Sequence, residues 1–141
     1  MFFSVIWILL DFVLSSVTAL SMIQFMIRCG ANVNEIENDL SDTPGTRPLH
    51  AIALAYTDLA KPIAELLLAY GAHADCIDDY GRLPQDRTCD LAIKALLSPT
   101  RNLSLKCRCA QMIVSKRINY RQCLSPNLVA FVQLHSNEKT N

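Results

Sequence analysis

"PIAELLLAYGAHADCIDDYG", residues 62–81, decides the fold, because the same plan occurs earlier in the chain as "SMIQFMIRCGANVNEIEND", residues 21–39. Both run from an apolar helical stretch into Gly-Ala-x-x-Asn/Asp and then an acidic turn. Ile63, Leu66, Leu67 and Tyr70 recur at helical spacing and form one apolar stripe. Gly71 and Gly30 then stand where a left-handed residue ends a helix. The first copy is followed by "GTRPLHAIALAY", residues 45–56, and the second by "GRLPQDRTCDLAIKALL", residues 81–97. Pro48 suits a first helical turn, where its missing N–H would have no partner, and Leu49, Ile52 and Ala53 give that helix a narrow apolar face.

Turn, short helix, longer helix and glycine stop together resemble the ankyrin repeat, in which G-x-T-P-L-H-x-A precedes a helix ending in L-L-x-x-G-A-D-x-N. Several positions depart from that pattern. Arg47 stands at the threonine place, Leu83 replaces it in the next copy, and Gln85-Asp86 stand where Leu-His belongs. The Gly30–Gly71 separation exceeds the period of roughly 33 residues, so "NDLSDTPGT" (38–46) or "AYTDLAKP" (55–62) carries an insertion. The expectation is an all-α, truncated ankyrin solenoid over residues 21–98: a trailing helix, one complete repeat and one degenerate repeat. Such an array looks like the C-terminal piece of a longer one, since stacks ordinarily use about three repeats or more. His50 matches the repeat histidine and is expected to hydrogen-bond between neighbouring loops.

The first 27 residues carry Asp11 as their only charge and are long enough to cross a bilayer. Against a membrane span, an aspartate near the middle costs about 2.5–3.5 kcal/mol on insertion scales, and no positive n-region marks a signal peptide. Residues 1–20 are therefore expected to be a variant start covering apolar repeat surface, with a membrane or signal segment as the alternative. Export would make Asn102-Leu103-Ser104 a glycosylation acceptor. The six cysteines (29, 76, 89, 107, 109 and 123) contain no CxxC pair and read as reduced thiols of the cytosol or nucleus.

Beyond Pro99 lies "LSLKCRCAQMIV", residues 103–114. Leu105, Cys109 and Ile113 are spaced i, i+4, i+8 with Met112 beside them, on one helical face. Ser104, Leu105, Cys109 and Ile113 resemble the elongin-binding box S/T-L-x-x-x-C-x-x-x-apolar of ubiquitin-ligase substrate receptors. There the leucine enters an apolar pocket and the small cysteine permits close helix approach. "INYRQCLSPNLVAFVQLH", residues 118–135, supplies a second amphipathic segment with Leu128, Phe131 and Val132 on one side. Leu124, Leu128 and Val132 resemble the cullin-selecting box if Ser125 takes the proline place, Pro126 falling one position late.

Repeats followed by these two segments resemble the C-terminal part of the Fem (feminization) family, over roughly residues 18–135. The resemblance implies a substrate receptor of a cullin-RING ubiquitin ligase. It implies docking to elongin B-C through Leu105, Cys109, Met112 and Ile113, and to a cullin scaffold through Leu124, Leu128, Phe131 and Val132. The family's degron-binding N-terminal repeats are not in this sequence, so no substrate-binding residue carries over. The alternative is a plain ankyrin interaction module, cytoplasmic or anchored through residues 1–27, in which residues 103–114 only cap the stack. The boundaries expected are 1–20, 21–98, 99–135 for the helical box-like module, and 136–141 for a polar tail.

Nothing in the chain suggests an enzyme, cofactor or metal centre: there is no Gly-rich phosphate loop and no nucleophile with a placed base. Asp78-Asp79, Asp39 and Asp42 sit in turns and are expected to cap helices. Lys106 and Arg108 could lower the pKa of Cys107 or Cys109, but no base accompanies either thiol. With 13 basic and 13 acidic residues the net charge is zero, which argues against nucleic acid as a partner. The basic run Arg101, Lys106, Arg108, Lys116, Arg117 and Arg121 lacks a stacking pattern and reads as solvated helix surface.

Overall fold

The computed structural model describes residues 18–36 and 46–136, and is helical with no β-strand among them. The expectations for residues 1–17, Asp39 and Asp42 lie outside the described residues. The chain divides between Asn102 and Leu103 into two compact units.

The first unit contains α1 (Thr18–Arg28), α2 (Pro48–Leu54), α3 (Ala60–Ala69), a 3-10 turn (Pro84–Arg87), α4 (Leu91–Leu96) and the short α5 (Pro99–Asn102). α2 and α3 are the complete repeat, and α1 packs on α3 as the trailing helix of the one before. In the next repeat a single 3-10 turn replaces the first helix. Both repeats start on proline, Pro48 and Pro84, at the first helical position. Ile63 and Leu67 of the stripe enter the core, buried together with Ile23, Leu49, Ile52, Ile93 and Leu97, whereas Leu66 is half-buried at its edge and Tyr70 is exposed. Pro99–Asn102, placed by sequence with the C-terminal module, belongs to this first unit.

Helices α1 and α3 end in the same way. The Gly30 amide donates to Ile27 O and the Ala31 amide to Met26 O; Gly71 and Ala72 repeat this onto Leu68 and Leu67. The pattern requires a left-handed residue, and Gly30 and Gly71 have φ of 95° and 88°.

Loops of successive repeats are tied by side chains. Asn34 Nδ2 donates to Gly71 O at 3.0 Å, while its Oδ1 accepts from the His73 amide at 2.8 Å. Arg47, the departure from the repeat pattern, is buried and donates to Ile77 O at 2.8 Å. His50 is fully buried and its Nε2 lies 3.1 Å from Arg82 O, so that nitrogen carries the proton and donates. This is the interloop role expected of it. Its Nδ1 has no hydrogen-bond partner among the described residues, and burial depresses the imidazole pKa despite the Arg82 carbonyl.

Asp78 departs from the capping role expected for it. Its Oδ1 accepts from the Tyr80 and Arg82 amides, both at 2.9 Å, and its Oδ2 accepts from Arg87 Nε at 2.6 Å, with the Arg87 terminal nitrogen also paired to it. Burial alone would raise its pKa, but the bonds from Arg82 and Arg87 outweigh it and hold the carboxyl below its ordinary value. The buried aspartate therefore clamps the 78–82 turn to the following 3-10 turn. The helix-capping aspartate is instead Asp90, which accepts from the Ala92 and Ile93 amides at the start of α4.

Candidate partner-docking surface

The second unit contains α6 (Leu105–Ser115) and α7 (Pro126–Leu134), which pack on each other. Ser104 starts α6 from an extended backbone, and its Oγ accepts from the Cys107 amide at 3.1 Å. That cap satisfies one of the orphan donors of the first turn and fixes where the helix begins, hence which residues face out.

At 100° per residue, Leu105, Cys109 and Met112 occupy one sector and Cys107, Ala110 and Val114 the opposite one. The burial follows this division. Cys107 and Ala110 are buried and Val114 is half-buried. Leu105 is 79% exposed, Met112 62%, and Cys109 is exposed, while Ile113 lies half-buried at the edge of that face. The structure thus brings together the four residues expected to meet elongin, three of them open to solvent. Lys106 Nζ lies 4.2 Å from the centre of the Phe131 ring, a cation–π contact linking α6 to α7.

The second set is less uniform. Ser125 is the residue before α7 and Pro126 its first helical residue, so the late proline is accommodated as a helix start. Leu128 is exposed, Leu124 and Phe131 are half-buried, and Val132 is buried. Val132 thus serves the chain's own packing, which leaves Leu128, Leu124 and part of Phe131 as accessible apolar surface. Sequence reasoning missed the inward role of Cys107; its i, i+3, i+7 relation to Ala110 and Val114 was the available signal.

None of the six cysteines, all among the described residues, forms a disulfide. Among the described residues no helix is long and apolar enough to cross a membrane.

No protein-family model matches the chain. It is similar to protein fem-1 homolog C of Homo sapiens, 32% identical over 118 residues that make up 83% of this chain and 18% of that protein. It is also similar to protein fem-1 homolog C of Xenopus laevis, 32% identical over 115 residues (78% of this chain, 17% of that one). Protein fem-1 homolog A of Rattus norvegicus is 25% identical over 118 residues, 83% of this chain and 17% of its own length. The chain thus spans less than a fifth of the length of these relatives.

Proposed function

Since the chain belongs to the Fem-1 family of ankyrin-repeat proteins, we propose that it is a non-catalytic adaptor of a cullin-RING ubiquitin ligase, docking elongin B-C through the outer face of α6. The observation that carries this reading is the exposure of Leu105, Cys109 and Met112 on one sector of a capped helix. Two long apolar side chains held out on a rigid helix, with a small cysteine between them, suit insertion into a groove. Leu128 and Leu124 are the accessible part of the surface proposed to meet a cullin. The compartment proposed is the cytoplasm or nucleus.

Burying one leucine contributes about 1.5–3 kcal/mol, so Leu105→Ser should weaken elongin B-C binding by roughly 10- to 100-fold. Its 79% exposure means that the fold should not notice; surface changes of this kind stay within about 0.5 kcal/mol. A pull-down of the purified chain, with and without residues 1–20, alongside thermal unfolding, tests this. If Leu105→Ser lowered stability and left binding alone, α6 would be only a cap on the repeats. If a folded chain did not bind elongin B-C at all, the adaptor reading would be lost.

A further inference from the structure

Helix α6 ends with the same two hydrogen bonds as α1 and α3: the Arg117 amide donates to Val114 O and the Ile118 amide to Ile113 O, both at 3.0 Å. Where those helices use glycine, this one uses Arg117, at φ 50°, which is the one non-glycine residue with positive φ among the described residues. A left-handed arginine is disfavoured relative to glycine. Such an outlier asks what the side chain does in return.

Arg117 lines an open cleft of about 510 Å³, together with Arg121, Tyr120, Asn119 and the apolar Ile113 and Ile118. Arg117 and Arg121 are both exposed, and neither side chain makes a hydrogen bond or ion pair among the described residues. Among the described residues of this unit, 103–136, there are Lys106, Arg108, Lys116, Arg117 and Arg121 and no aspartate or glutamate. Lys106 is engaged over Phe131, whereas the two cleft arginines keep their guanidinium donors available. Two guanidinium groups lining one cleft with isoleucine side chains match carboxylates that alternate with apolar side chains. A nucleic acid would call for stacking faces, and Tyr120 is the only aromatic residue of the cleft.

We propose that this cleft, with Arg117 held into it by a left-handed helix end, is a docking site for an acidic-apolar peptide segment of a partner protein. Its lining shares Ile113 with the elongin-facing set but includes none of Leu105, Cys109 and Met112, so the inference goes beyond elongin docking and does not depend on it. The variant that separates binding from folding is Arg117→Gly. Glycine relieves the backbone and removes the charge, so the variant should unfold at a higher temperature than the parent while binding more weakly.

The experiment is fluorescence anisotropy of the full chain with a labelled octapeptide of alternating glutamate and leucine. Its controls are the same peptide with glutamine for glutamate and a labelled single-stranded DNA. The acidic peptide is expected to bind, more weakly as salt rises, and at least about tenfold tighter than the glutamine control. Arg117→Gly and Arg121→Ala should each weaken it by about tenfold, and Leu105→Ser should leave it unchanged. Equal binding of both peptides, no binding by a folded chain, or undiminished binding by Arg117→Gly would overturn the proposal. So would DNA binding tighter than the acidic peptide, which would mark a phosphate-polymer site instead.

Discussion

His50 shows how one side chain sets a pH limit on the repeats. Only its neutral form suits the site: Nε2–H reaches the Arg82 carbonyl, and a proton on Nδ1 would be buried without an acceptor. Its folded-state pKa lies below the ordinary 6.5, so the unfolded chain takes up the proton first. Stability from this group is therefore complete above pH 6.5 and falls as the pH drops from there towards the depressed value. The melting temperature should decline over that window, and His50→Gln should flatten the decline; an unchanged slope would remove His50 as its source. Asp78, also depressed, contributes in the opposite-charge sense and at lower pH, its stabilisation being lost only as its carboxylate protonates. His50 was legible in the sequence because the repeat pattern carries its role. Asp78 was not, because its enclosure depends on Arg87, nine residues on, folding back over it.

Helix α6 makes a sharper test of how far pattern alone reaches. Its capped start was readable from Ser104, and its outward stripe from Leu105, Cys109 and Met112. The inward stripe was equally present in the spacing, but small residues attract less notice than leucine and isoleucine. The consequence is measurable with a thiol reagent. In the folded chain Cys109 should react rapidly, while Cys107, buried and receiving the Ser104 hydroxyl at 3.0 Å on its sulfur, should be protected by at least about tenfold until the unit opens. Equal labelling of the two would mean that the face assignment is wrong. The same helix shows what sequence reading passed over at its far end, where Arg117 takes a position that glycine holds in α1 and α3.

At the scale of the whole repeat unit, stability rests on a small apolar core. Leu67, fully buried on α3, belongs to one apolar cluster with residues from α1, α2 and α4. Leu67→Ala should cost about 2–5 kcal/mol, a large share of what a domain this size has. Denaturant unfolding would check it; a loss below about 1 kcal/mol would mean that the core is not shared among the repeats. The repeat architecture was visible from two matching stretches, but the weakness of its last member was only half visible. Gln85-Asp86 announced a departure, and the structure converts it into the Pro84–Arg87 3-10 turn. That turn has a consequence for growth. A repeat stack lengthens like a polymer whose every monomer offers a full helix pair to the next, and this last monomer has one arm shortened to a single turn. It behaves as a chain terminator: a further repeat spliced on behind Leu97 would find half the usual template, so whatever follows has to be built on a different plan.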